Sequence, residues 1–222
     1  MNKRAKLILG EVFLLLTLIL IVMLLTVDVE PIGPAGTSIG FSHLNGGIFH
    51  LFSGSRFFSL VTKVLGILAI LVAAGFALLG LMELIQRKSL RKIDSELYAL
   101  GGLYVAMGIV YLFFDKIFAV NYRPILKAGS TLPEASFPST HTLLACVVFG
   151  GAILVLGRYL KNRNVRLIVG AVLGFLAALT VIGRLLTGVH WFTDIVGGVL
   201  ISGFLLSAFS YALDVMKEKR GR

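Results

Sequence analysis

"SLVTKVLGILAILVAAGFALLGLMELI", residues 59–85, has no charged side chain between Lys63 and Glu83 and no proline anywhere. A helix rises 1.5 Å per residue, so about 20 such residues cross the hydrocarbon core of a bilayer, which is about 30 Å thick. The stretch is long enough to span, and five others read the same way, at 7–27, 97–114, 142–159, 167–182 and 195–213. The composition agrees: 57% of the 222 residues are hydrophobic, 14% are charged, and the mean hydropathy is +0.94. A soluble domain of this length has far more charge and less apolar surface to hide. The sequence therefore predicts an all-α, polytopic membrane protein of six transmembrane helices, forming one membrane-embedded domain over 1–222. The first run is too long for a signal-peptide core and has no small-residue cleavage site after it, so it reads as a helix.

The net charge of +10 suggests nucleic acid until its distribution is followed. Lys3, Arg4 and Lys6 precede the first span, and Arg87, Lys88, Arg91 and Lys92 follow the second. Arg158, Lys161, Arg163 and Arg166 join the fourth and fifth, and Lys217, Lys219, Arg220 and Arg222 close the chain. All fall on one side of a six-span protein, and the positive-inside rule makes that side cytoplasmic, with both termini there. The basic balance thus reads as topology and contact with membrane lipids, not as a nucleic-acid surface. Arg56, Lys63, Lys116, Arg123, Lys127 and Arg184 remain at the outer face, where the rule predicts few.

Two outer loops hold most of the polar residues there. The 28–58 loop, between spans one and two, is rich in Gly, Pro and Ser; its His43 and His50 share a helical face, and it reads as an interfacial helix or lid. The 115–141 loop is long for a connection, and such loops are often functional. The single cysteine, Cys146, lies inside a span without disulfide or metal-ligand companions and reads as a packing residue.

Several groups converge on that outer face. Ser139, Thr140 and His141 open the fourth span, Arg184 closes the fifth, and His190 and Asp194 open the sixth. Two helix N-termini bring unpaired N–H groups and partial positive charge, and Lys116, Arg123 and Arg184 add full charges. Phosphate fits such a place best. His190 and Asp194 are helical neighbours, so a carboxylate accepting from one imidazole nitrogen leaves the other free to attack. His141 is then placed to protonate the leaving oxygen. No carboxylate cluster of the kind magnesium needs is present, so the chemistry is expected to need no metal and no cofactor. Trp191 and Tyr122 read as aromatic-belt residues.

At these residues the sequence resembles the type 2 phosphatidic acid phosphatase family. Lys116, six residues and Arg123-Pro124 resemble its first motif; Pro138-Ser139-Thr140-His141 resemble its second; Arg184, five residues, His190, three residues and Asp194 resemble its third. The motifs fall in the 115–141 loop and at 183–194. The resemblance implies a six-helix enzyme that removes phosphate from lipid phosphates or pyrophosphates through a phosphohistidine, without metal. Residue by residue, His190 resembles the nucleophile, Asp194 its orienting carboxylate and His141 the general acid. Lys116, Arg123, Ser139, Thr140 and Arg184 resemble the phosphate ligands. Gly183 stands where the family usually has serine, and Thr140 where glycine is common.

The expected protein is a lipid phosphatase of a bacterial plasma membrane with an outward-facing site. Undecaprenyl pyrophosphate leads the candidate substrates, with phosphatidylglycerol phosphate and phosphatidate behind it. A lipid phosphotransferase would use the same residues. A transporter or non-catalytic scaffold fits less well, because the polar residues gather at one face instead of mid-membrane.

Overall fold

In the computed structural model, residues 2–126 and 129–220 are described; Lys127 and Arg222, counted among the charges above, lie outside them. Seven α-helices form among the described residues: α1 (Lys3–Thr26), α2 (Ser42–Phe52), α3 (Arg56–Arg87), α4 (Ser95–Leu112), α5 (Thr140–Tyr159), α6 (Arg163–Thr187) and α7 (Phe192–Arg220). All but α2 are long and apolar enough to cross a bilayer, so this is a multi-pass membrane protein with the six expected spans. The helices overrun the apolar stretches at their ends. Propensity and capping carry them into the headgroup region, as where the Asn2 side chain accepts from Ala5 N–H (2.8 Å) and Asn162 Oδ1 from Asn164 N–H (2.9 Å).

Helix α5 is the centre of the bundle. It packs on α3, α4, α6 and α7, while α1 lies along α7. Ala145, Val147, Val148 and Phe149 of α5 are sealed from the surroundings, whereas Leu15, Ile67, Ile168 and Phe175 on the peripheral helices are exposed. Lipid tails are as apolar as leucine, so close packing and dispersion hold these helices together, with little help from the hydrophobic effect.

An even number of spans puts both termini on one face. Charge pairs staple that face: Lys6 to Asp214 (2.5 Å), Lys3 to Glu218, and Arg158 to Asp94 through two hydrogen bonds of 2.8 and 2.9 Å. The opposite face carries α2 and the 115–141 loop. Helix α2 of the 28–58 loop is docked, not free. Buried Asn45 donates to the Gly40 carbonyl (2.8 Å) and accepts from Thr193 N–H (3.2 Å), and Phe49 packs on Trp191. Asp28, Glu30 and His43 gather on the exposed side of this loop. There His43 Nδ1 lies 2.7 Å from Asp28, which raises the imidazole pKa and lowers that of the carboxyl.

Candidate active site

The 115–141 loop is held as a short ladder. Arg123 N–H donates to the Glu134 carbonyl (2.9 Å) and Ser136 N–H to the Asn121 carbonyl (2.8 Å), with Tyr122 and Ala135 bridged between them. Trp191 ties the ladder to the α6–α7 turn by donating Nε1–H to the Tyr122 carbonyl (2.7 Å). Trp191 is therefore buried and structural, and does not sit in an aromatic belt as its sequence position suggests; its indole N–H is taken by the loop instead of the headgroups.

The ladder and the two helix junctions enclose a cleft bordered by Arg123, Ser136, Pro138, Thr140 and His190. His190, in the turn before α7, is buried, and its Nε2 has no hydrogen-bond partner among the described residues. Burial, then the positive charges of Arg184, Arg123 and His141, holds its imidazole well below the ordinary 6.5, so the ring is neutral at physiological pH.

Arg184, one turn from the end of α6, is 5% exposed. The only hydrogen bond of its side chain among the described residues is NH1 to Thr62 Oγ1 on α3, at 3.5 Å, and its Nε has none. A buried guanidinium with no carboxylate at hand is costly unless an anion joins it. Arg123 pairs loosely with Glu134 (3.4 Å) at the cleft wall.

Gly183 explains how α6 comes so close to α3. A Cβ there would lie 2.6 Å from Thr62 Cγ2, so serine does not fit without a shift, and the Thr62 hydroxyl now stands beside Arg184. His141, in the first turn of α5, lies over Gly66 of α3, where a Cβ would come within 3.1 Å of the ring.

Of the residues the motifs single out, Arg123, Thr140 and His190 border the cleft, and His141 and Arg184 act on His190 from nearby. Lys116 does not join them. It lies in a π-helical turn that extends α4 (Phe113–Ile117), mostly exposed and paired with Asp115 (2.8 Å), while Asp115 itself faces the cleft. Ser139 is buried, with its N–H on the Asp194 carbonyl (3.0 Å) and its Oγ accepting from Thr142 (3.1 Å).

Two electrostatic expectations need correction. Only α5 keeps an open N-terminus, with the N–H groups of Thr140, His141 and Thr142 lacking intrahelical acceptors. The N-terminus of α7 is already capped, Trp191 N–H by Asp194 Oδ2 (3.0 Å) and Thr193 N–H by Asn45. Nor does Asp194 touch His190. Its Oδ2 is 3.9 Å from Nδ1, because the Ser136 hydroxyl stands between, 3.0 Å from Nδ1 and donating to Oδ2 at 2.5 Å. Asn121 Nδ2–H donates to the other carboxylate oxygen (3.1 Å).

A buried histidine, a buried arginine with no carboxylate partner among the described residues and an open helix N-terminus thus meet at one end of the six-helix bundle, an arrangement suited to an anion. Residues 68–217 match the PAP2 superfamily, and the chain belongs to it. The fold is similar to the crystal structure of a transmembrane PAP2-type phosphatidylglycerolphosphate phosphatase from Bacillus subtilis, with a TM-score of 0.61 and 19% identity over 93% of this chain and 96% of that one. No curated protein sequence matches. The protein is a membrane-embedded phosphatase.

Proposed function

We propose that the protein hydrolyses a lipid phosphate or pyrophosphate through a phosphohistidine on His190, without metal, at the outer face of a bacterial plasma membrane. The observation that carries this reading is buried Arg184 near neutral His190, the one with no carboxylate partner and the other with no partner for Nε2 among the described residues. In the proposed reaction Nε2 attacks phosphorus, and the phosphorus–oxygen bond to the lipid breaks as the leaving oxygen takes a proton from His141. Water then attacks the phosphoryl group and gives its proton to His141; the P–N bond breaks and inorganic phosphate leaves. Arg123, Arg184, Thr140, Ser139 and the α5 N-terminus hold the equatorial oxygens. Lys116 reaches them only by leaving Asp115. The basic residues around the termini support a cytoplasmic location for those ends, which turns the cleft outward.

The lipid tail has a path. An apolar groove of about 210 Å³, lined by Met107, Gly108, Leu143 and Leu144, meets the cleft at Tyr111 and Thr140. Beyond those two hydroxyls it offers nothing to a glycerol ester, which supports a hydrocarbon beginning directly at the phosphate, as in undecaprenyl pyrophosphate. Phosphatidylglycerol phosphate is the second reading, favoured by the structural neighbour, which acts on that class.

Phosphate release in detergent with chelator present, from undecaprenyl pyrophosphate, phosphatidylglycerol phosphate and phosphatidate, tests both. The reading expects release that survives chelation, is fastest on the prenyl pyrophosphate and is lost in His190→Ala. Release that persists in that variant overturns it.

A further inference from the structure

The Ser136 hydroxyl belongs to none of the three motifs, yet it is buried between two residues that do. Ser136 is 2% exposed, His190 3% and Asp194 0%, so no water competes for these contacts. Three hydrogen bonds converge on Asp194: from Ser136 Oγ–H and Trp191 N–H to Oδ2, and from Asn121 Nδ2–H to Oδ1. A hydroxyl has one proton to give. With that proton on Asp194, the Ser136 oxygen faces Nδ1 only as an acceptor, and Nδ1 must carry the ring proton. The Nε2 lone pair is then left for the cleft, where it has no partner among the described residues.

We propose that Ser136 is a positioning residue that couples Asp194 to His190. The carboxylate orients the imidazole and, as Nε2 takes up phosphorus, balances its growing positive charge through the hydroxyl and not by direct contact. This rests on His190 being the nucleophile, as proposed above. Removing the hydroxyl alone leaves the backbone that shapes this part of the loop in place. The ladder bond from Ser136 N–H to Asn121 is untouched as well.

Three features of the reaction separate this role from packing. Ser136→Ala should lower kcat by about ten- to a hundred-fold, the usual range for leaving a buried hydrogen-bonding pair unbridged, with KM little changed. Ser136→Thr, which keeps the hydroxyl, should recover most of the loss. Asp194→Asn should cost less in the Ser136→Ala background than in the wild type, because both changes break one chain of contacts.

The test is a double-mutant cycle on phosphate release, with Ser136→Thr included, His190→Ala as blank and monodispersity in detergent as the check on folding. Coupled losses with recovery by threonine support the relay. Wild-type turnover in Ser136→Ala, or losses that multiply independently, overturn it while leaving the nucleophile in place. Release by His190→Ala would instead overturn the reading on which it rests.

Discussion

The two faces of the bundle do not treat charge alike. At the face that holds the termini, cations meet carboxylates: Lys6 with Asp214, Lys3 with Glu218, Arg158 with Asp94. At the other face Lys116 pairs with Asp115 and Arg123 loosely with Glu134, but among the described residues the buried Arg184 side chain has only the Thr62 hydroxyl as a hydrogen-bond partner and His190 Nε2 has none. Paired charges staple helices and can be described from the protein alone. A buried cation with no carboxylate partner among the described residues is costly unless an anion joins it, and this supports the proposed site more strongly than proximity of the motifs does.

Arg184→Gln probes the contrast hardest. Removing one preorganised cation from a phosphoryl-transfer site should lower kcat/KM by about 10²–10³-fold. Because the charge is uncompensated in the free protein, the same change should leave the melting temperature in detergent unchanged or raised. A large fall in melting temperature would show that Arg184 is structural after all.

The pH profile sharpens it next. Attack requires neutral His190, whose pKa is held below 6.5 by burial and by the surrounding cations. The acid-side fall in kcat/KM due to this group should therefore lie below pH 6.5. Arg123→Gln removes one of those charges and should move that limb to higher pH, apart from any loss of binding. A limb that stays put would mean Arg123 does not act on the ring.

At the opposite face Asp94→Asn should do the reverse of Arg184→Gln. It should cost about 1 kcal/mol of stability, since Arg158 is half-exposed and such pairs are weak, and leave turnover unchanged. A drop in kcat would break the division between faces. The smallest effect is expected from Gly66→Ala. The added methyl presses on the His141 ring and should slow turnover a few-fold, read as a fall in kcat at constant KM.

What the sequence made legible follows from the range of the signals involved. Six spans are local, each a run of apolar residues, and helix ends were missed only where capping and propensity extend them past the hydrocarbon. The motif residues Arg123, Thr140, His141, Arg184, His190 and Asp194 are legible because their spacing joins helix starts and ends on one face. Ser136, Asn121 and Thr62 were not. Each meets the motif residues through contacts with positions far away in the chain, Ser136 with His190 and Asp194, Asn121 with Asp194 and Thr62 with Arg184, and no spacing encodes such contacts. Trp191 was misplaced for the same reason, since its partner is the Tyr122 carbonyl. Lys116 kept its motif position but turned to the adjacent Asp115.

Trapping the covalent intermediate tests the central claim most directly. Protein mixed with lipid pyrophosphate labelled at the terminal phosphorus is quenched with alkali during turnover, and label retained on the chain is located by peptide mapping. The account predicts an alkali-stable, acid-labile phosphoramidate on His190, absent in His190→Ala. Active enzyme that never carries label, or carries it elsewhere, would contradict it.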